Sequence, residues 1–180
     1  MNVFTIASFV LSLCLFIPQC VQILGGMTQN FATWLLWLAI NVVATGTLIV
    51  QHGNYLPSAA ISAGDVFVCL CILKSWDFYW TRIETFASVL VSMCILTWII
   101  LGPRAGTIMS TSAYLIAGLP QIISTYRWPW YTSIPMWLSW FAVSGLSVLG
   151  GKIWSIAERL YPSAVSLYCL ALSLVATRNL

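Results

Sequence analysis

Apolar residues along the chain fall into about seven long runs separated by short polar segments. A membrane-spanning helix needs about 20 predominantly apolar residues, and most of the runs have about that length, although the third and the last are short. The pattern predicts helices over residues 3–24, 31–51, 57–74, 84–102, 106–125, 133–150 and 162–178.

One segment of the second run recurs in the sixth. Residues 34–41 and 137–144 share the pattern Trp-Leu-x-Trp-x-Ala-x-polar. The segments before and after them match as well, in the same order and at nearly the same spacing: Pro18-Gln19 with Pro120-Gln121, and Pro57-Ser58-Ala59 with Pro162-Ser163-Ala164. Such an internal repeat predicts two copies of one structural unit.

The repeat assigns three helices to each copy and leaves the fourth helix as a linker. Two three-helix units joined directly would insert with opposite orientations, whereas an extra span makes them parallel. We therefore expect an all-α membrane protein with seven transmembrane helices in a 3+1+3 layout. Its parts are a first triple-helix bundle (1–80), a linker helix (81–104) and a second triple-helix bundle (105–180).

Composition supports the membrane class and excludes others. Apolar residues make up 61% of the chain, charged residues make up 6%, and the mean hydropathy is +0.95, which is not the composition of a soluble domain. The net charge of +3 provides no basic surface for nucleic acid. The six cysteines lie in or beside apolar runs, and no catalytic motif is present. We expect no enzymatic activity, no metal and no cofactor.

Basic residues give the expected orientation. Lys74, Arg82, Arg127 and Arg178 fall on one side, and Arg104, Lys152 and Arg159 fall on the other. By the positive-inside rule this difference favours an external N-terminus and a cytoplasmic C-terminus. We expect a plasma or inner membrane rather than an organelle membrane, and we leave self-association into a homo-oligomer open.

Two Pro-Gln pairs are candidate hinges. Pro18 and Pro120 lie inside predicted helices, where a missing N–H leaves the carbonyl four residues earlier without its partner and bends the helix. An ordinary membrane-helix kink is the alternative. Because Gln19 and Gln121 follow the prolines in both copies and can hydrogen-bond near the opened backbone, we favour hinges.

Aromatic and polar side chains share one face of the second helix in each copy. Trp34, Trp37 and Asn41 fall at i, i+3 and i+7, and the second copy repeats them as Trp137, Trp140 and Ser144. The alternative is a belt of interfacial tryptophans. A face that combines indole and amide suits a small polar solute with an apolar side, such as a sugar ring, so Trp37, Asn41, Trp140 and Ser144 are candidate substrate contacts.

The third helix carries a polar stripe with an acid. Ser58, Ser62 and Asp65 fall at i, i+4 and i+7, and Asp65 is expected to be the only acid inside a span. An ionised carboxylate at mid-bilayer costs about 2.5 to 3.5 kcal/mol on insertion scales, so such groups usually face a bundle interior or a cavity. Asp65 is therefore a candidate for proton coupling or for attracting a cation. The alternative is that Asp65 lies near the helix start, reaches the membrane–water interface and has no functional role.

The duplicated Pro-Gln pairs, the tryptophans and the 3+1+3 layout resemble the PQ-loop superfamily, which includes the SWEET and SemiSWEET sugar transporters and the cystinosin-like carriers. The resemblance implies two parallel bundles around a solute path, with Pro-Gln hinges. Residues 34–37 look like the second-helix tryptophan region of SemiSWEETs, which implies substrate-facing roles for Trp37 and Trp140. The sugar transporters carry an asparagine on the third helix, and this chain departs from that pattern: the polar residues nearest that position, counted from Pro57 and Pro162, are Ser62 and Ser166. Asp65 is similar to the intramembrane acid of cystinosin-like carriers.

Transport of a small polar solute, with a sugar as first expectation, is the leading hypothesis. The alternatives are a proton-coupled amino-acid transporter, a non-transporting receptor similar to KDEL receptors, and a structural membrane subunit with no pathway. The expected partners are the lipid bilayer and a small-molecule solute.

Overall fold

The structure is a computed structural model that describes residues 2–26, 30–74, 78, 80–127 and 133–179. Within these ranges the chain is helical and contains no strand. The α-helices are α1 (Val3–Leu24), α2 (Phe31–Val50), α3 (Leu56–Ile72), α4 (Arg82–Leu101), α5 (Pro103–Arg127), α6 (Ile134–Leu149) and α7 (Tyr161–Ala176). A π-helical turn (Ile156–Leu160) leads into α7, and a 3₁₀ turn (Thr177–Asn179) follows it.

The helices confirm the seven predicted runs, with boundaries that differ by three residues at most. Four segments are long and apolar enough to cross a membrane: α1, α2, α4 and the continuous stretch Ile156–Ala176. The apolar helices α3 and α6 are shorter, with 17 and 16 residues. These features indicate a membrane protein.

Local sequence explains where the helices begin. The side chains of Asn2, Asn30 and Thr81 cap α1, α2 and α4 by accepting a hydrogen bond from a backbone N–H of the first turn. Pro57 and Pro162 lie in the first turns of α3 and α7, where the missing N–H of proline is tolerated. The matching Pro-Ser-Ala segments of the repeat are therefore helix starts.

Arginines stabilise two helix ends. The Arg178 guanidinium donates to the Tyr126 carbonyl (3.1 Å) and lies over the Tyr126 ring, near the end of α5. Arg159 donates to the carbonyls of Val148 (2.6 Å) and Gly151 (2.8 Å) at the end of α6. A cation in this place offsets the negative end of the helix dipole and satisfies carbonyls that have no helical partner.

The helices pack in a pattern that follows the repeat. In the first copy α3 packs against both α1 and α2, and in the second copy α7 packs against both α5 and α6. Between the copies, α1 packs against α6 and α2 packs against α5. Helix α4 packs against α5 and α2.

Each copy contains one close approach between an aromatic ring and a glycine. A Cβ added at Gly64 of α3 would overlap the ring of Phe16 of α1, and a Cβ added at Gly118 of α5 would overlap the ring of Tyr168 of α7. Phe16 and Gly118 both precede the Pro-Gln proline by two residues. The ring is therefore on the first helix of one copy and on the third helix of the other.

We expect the substitution Gly64→Ala to destabilise the protein by about 1 to 3 kcal/mol, because overpacking forces a buried ring out of place. Phe16 is buried and also contacts Trp140, so it has little room to move. The free energy of unfolding in mixed detergent micelles measures the effect. Gly145→Ala is the matched control, because nothing lies within 4 Å of a Cβ there. Equal stability of the two variants would contradict the prediction.

Candidate functional site

Three buried polar side chains from α3, α2 and α7 form a continuous hydrogen-bonded chain. Asn41 Nδ2 donates to Asp65 Oδ2 (2.8 Å), and Tyr161 Oη donates to Asn41 Oδ1 (2.8 Å). The exposed fractions are 0% for Asn41, 1% for Tyr161 and 2% for Asp65. Because Tyr161 belongs to the second copy and the other two to the first, the chain links the two copies in the core.

The bonds fix the orientation of the Asn41 amide. Its NH₂ group faces the Asp65 carboxyl group and its oxygen faces the Tyr161 hydroxyl, so both ends of the amide are used. Within the described residues, the Asp65 side chain has this amide as its hydrogen-bond partner and has no Lys or Arg beside it. A carboxylate in this place is costly to bury, since no full charge of opposite sign compensates it.

Aromatic rings surround this chain. Tyr114 of α5 lies at the centre, with its ring centroid 4.9 Å from Trp37, 5.9 Å from Tyr161 and 5.8 Å from Tyr168. The Tyr168 ring also contacts Trp137 (6.0 Å), and its hydroxyl donates to the Gly118 carbonyl (3.1 Å). All these ring pairs meet edge to face, a favourable aromatic geometry. We call Asp65, Asn41, Tyr161, Tyr114 and Trp37 the core polar cluster.

The structure brings some of the predicted site residues together and leaves others apart. Asn41, Asp65 and Trp37 are all members of the core polar cluster. Ser62 is half-buried, where it donates to the Ser58 carbonyl (2.9 Å) and lies 3.4 Å from the Thr45 hydroxyl.

The second-copy candidates lie on α6. Trp140 is half-buried with its ring 5.2 Å from that of Phe16, whose ring in turn lies against Gly64, the residue before Asp65. Ser144 is buried. Among the described residues, neither Trp140 nor Ser144 forms a side-chain hydrogen bond or a ring contact with Asp65 or Asn41, so the two copies contribute to the core in different ways.

The candidate hinge residues lie on the outer faces of their helices. Pro18 and Pro120 are exposed, and α1 and α5 continue through them. Gln19 is half-buried. Gln121 is exposed, and its amide donates to the Thr125 hydroxyl (3.4 Å) one turn further along α5.

The expectation that Asp65 is the only acid inside a span is wrong, because Glu84 belongs to α4 and Glu158 belongs to the stretch Ile156–Ala176. Glu84 is 3% exposed at the start of α4, where its carboxylate accepts from Asn30 (2.9 Å), Thr33 (2.6 Å) and the Thr81 backbone (2.8 Å). Glu158 is also buried and accepts from the Lys152 backbone N–H (3.1 Å). Both acids lie at helix ends and bind a nearby backbone N–H group, and Glu84 also joins the start of α4 to the start of α2, so both serve the structure of helix ends.

Sequence reasoning missed two members of the core polar cluster. Tyr161 lies just before Pro162, outside the predicted last helix (162–178), and Tyr114 lies within the predicted fifth helix (106–125) with no polar residue type in the repeat pattern to mark it. The available signal was a hydroxyl-bearing ring inside an apolar run for Tyr114 and beside one for Tyr161, because a buried tyrosine hydroxyl usually needs a hydrogen-bond partner. Its partner could not be read from one helix alone.

Comparison with protein-family models, with curated proteins and with solved structures found no match to the chain. The site is therefore interpreted from its own geometry.

We expect Tyr161→Phe to destabilise the protein by about 1 kcal/mol, because the buried Asn41 oxygen loses its donor while the ring packing is kept. Unfolding in mixed micelles provides the measurement. Tyr55→Phe is the control, since Tyr55 is 38% exposed. If both variants unfold alike, the hydrogen bond from Tyr161 contributes nothing to stability.

Proposed function

We propose that the chain is a membrane transporter of a small polar solute, with a sugar as the substrate class, and that it works by alternating access between two three-helix halves. The observation that carries the proposal is the core polar cluster. Polar and ionisable groups inside a membrane-embedded bundle are expensive, and they mark solute or ion pathways. This cluster joins the two copies of the repeat, which is where transporters built from repeats bind their substrate.

The chemistry of the cluster supports a sugar. A sugar ring combines hydroxyl groups with apolar faces, and a site for it needs a few polar groups beside aromatic surface. The Asn41 amide, the Asp65 carboxyl group and the Tyr161 hydroxyl would supply the hydrogen bonds, and the rings of Trp37 and Tyr114 would supply the apolar surface. The polar groups are paired with one another and buried, as is the Tyr114 ring, while Trp37 is half-buried, so binding requires the helices to separate.

The direction of the helices in each copy supports parallel halves. In the first copy, Phe16 of α1 contacts Gly64 of α3, and Cys20 further along α1 interacts with Cys71 further along α3. Helices α1 and α3 are therefore parallel. In the second copy, Tyr114 of α5 contacts Tyr161 at the start of α7, and Tyr126 near the end of α5 contacts Arg178 just after α7. Helices α5 and α7 are therefore parallel as well.

Contacts between the copies relate the two orientations. Thr5 of α1 donates to Gly150 beyond the end of α6 (3.2 Å), whereas Phe16 meets Trp140, so α1 and α6 run in opposite directions. Ser166 of α7 donates to the Phe141 carbonyl of α6 (3.4 Å), and Tyr168 meets Trp137, so α6 and α7 are also opposed. Helices α1 and α7, and hence α3 and α5, share one direction, which supports the proposed 3+1+3 layout.

The repeated tryptophans support a pseudo-twofold relation between the halves. Trp37 of α2 packs on Tyr114 of α5, and its counterpart Trp140 of α6 packs on Phe16 of α1. The second helix of each half thus contacts the first helix of the other. Rocking of one half against the other would separate both contacts together, which is the motion that alternating access needs.

Proton-coupled amino-acid transport is the second candidate, and Asp65 favours it. Its carboxyl group has no cationic partner among the described residues, so it is free to gain or lose a proton without breaking an ion pair. A receptor that binds a peptide carboxylate is less well supported, because such a site needs a buried cation and the core polar cluster contains none.

We expect Pro120→Ala to slow uptake by about tenfold, equivalent to about 1.4 kcal/mol in the barrier, while changing solute affinity much less. A regular helix lacks the bend that the opening motion uses. Uptake of labelled hexoses and amino acids into proteoliposomes gives the rate, and equilibrium binding gives the affinity. Pro135→Ala is the control, because Pro135 lies in the first turn of α6. Equal loss of rate and affinity would exclude a hinge role for Pro120.

If transport is proton-linked, a proton gradient directed into the proteoliposomes (acidic outside) should accelerate uptake, and Asp65→Asn should abolish that acceleration. The amide keeps the shape of the side chain but cannot exchange a proton. Glu158→Gln is the control, since Glu158 is also buried but binds the Lys152 backbone rather than the core polar cluster, and should leave the gradient effect intact. If the rate of uptake by the unsubstituted protein does not change with the gradient, the protein is a uniporter and the sugar proposal still holds. Absence of uptake for every solute in both classes would count against transport itself.

A further inference from the structure

A charged groove of about 690 Å³ lies where the end of α2, the start of α5 and the π-helical turn before α7 meet. We call it the basic groove. Arg104 and Arg159 line it together with Trp154 and Ser163. Arg104 is exposed, and the Trp154 side chain is 87% exposed.

The Arg159 guanidinium is fixed by hydrogen bonds to backbone carbonyls and still has unused N–H donors. Its guanidinium donates one hydrogen bond from each nitrogen, to the carbonyls of Ile153 (3.1 Å), Val148 (2.6 Å) and Gly151 (2.8 Å). It also lies 4.1 Å from the centre of the Trp154 ring. An arginine carries five N–H donors, so two remain within the described part of the chain. The position of this charge is therefore set in advance of any ligand.

The groove has an excess of positive charge. Arg104, Arg159 and the exposed Lys152 lie at this end of the bundle, and the one acid of the adjoining π-helical turn is Glu158. The Glu158 side chain is buried and accepts from the Lys152 backbone. Guanidinium groups bind phosphate oxygens through paired hydrogen bonds. A phosphate-bearing ligand complements this surface.

An apolar groove of about 590 Å³ continues from the basic groove between α6 and α7. Ser163 lines both grooves, and Val148, whose carbonyl binds Arg159, lines the apolar one. The apolar groove extends to Phe141 and Leu167, two turns into the helices. A Cβ added at Gly145 would meet nothing within 4 Å, so the groove is open there.

We propose that the two grooves together bind one anionic phospholipid, with its phosphate headgroup at Arg104 and Arg159 and one acyl chain along the groove between α6 and α7. Guanidinium groups bind the phosphate of an anionic headgroup in either leaflet, and tryptophan is enriched at the headgroup level of both membrane interfaces. The continuous apolar groove favours a lipid over free phosphate, which would use the basic groove alone. The inference requires a membrane-embedded protein but does not depend on transport.

Native mass spectrometry of the purified full-length protein, titrated with defined lipids, tests the proposal. We expect phosphatidylglycerol to bind at least about fivefold more tightly than phosphatidylcholine with the same acyl chains, the effect of about one basic residue at a membrane surface. Arg104→Gln should remove most of that preference. Lys152→Gln is the matched control, because Lys152 is exposed nearby but does not line the groove.

The acyl-chain half of the site has its own variant. Gly145→Leu should fill the apolar groove and weaken binding of long-chain phosphatidylglycerol by about fivefold or more, since each buried CH₂ contributes about 0.8 kcal/mol. Ser92→Leu, on the exposed face of α4, is its control. Thermal unfolding of each variant identifies any loss of fold, and Arg104→Gln changes an exposed side chain that the fold does not use.

Three outcomes would overturn the proposal. Equal affinity for the two lipids would exclude headgroup recognition. An equal effect of Lys152→Gln and Arg104→Gln would indicate diffuse surface charge rather than a site. Displacement of the lipid by inorganic phosphate at matched concentration, with no effect of Gly145→Leu, would indicate a free-anion site.

Discussion

The hydrogen bond from Asn41 to Asp65 is the interaction on which the arrangement of the core depends. Neither side chain reaches solvent, so each must find its partner inside the protein, and an unpaired group would cost more than the bond itself contributes. The pair fixes the rotation of α2 against α3. Because the remaining amide oxygen accepts from Tyr161, the same requirement fixes α7 as well. The hydrogen bonds of the Asn41 amide thus determine how three helices, from both copies of the repeat, are oriented against one another.

Outside the polar core, close packing of unequal side chains holds each half together. The ring of Phe16 occupies the space that Gly64 leaves on α3, and the ring of Tyr168 occupies the space that Gly118 leaves on α5. The contact is the same, yet the large and small partners have exchanged helices. The exchange also places a hydroxyl, that of Tyr168, on the α5 backbone two residues before Pro120. The proline regions of the two halves therefore have different surroundings and need not bend equally.

Helix positions were predictable from the sequence because apolar run length and the prolines at helix starts are local signals. Asp65, Asn41 and Trp37 were predictable as candidates for the same reason, since the spacing of residues along one helix defines a face. That these three side chains lie in one cluster was not predictable, because the rotation of α2 against α3 depends on packing between helices. Tyr161 was missed because its position beside Pro162 resembles a loop end, and Glu84 was missed because the sequence beside it is a charged segment.

The basic groove and the core polar cluster meet at the start of α7. Arg159 lies in the π-helical turn and binds the end of α6, and Tyr161, two residues later, reaches Asn41 in the core. Glycine at position 53 lets the α2–α3 loop approach the same turn, where the Asn54 backbone donates to the Ala157 carbonyl (3.0 Å). A π-helical turn is less regular than an α-helix and is often found at functional sites. A shift of this turn would therefore change the position of the arginine in the groove and of the tyrosine in the core together, since no flexible segment separates them.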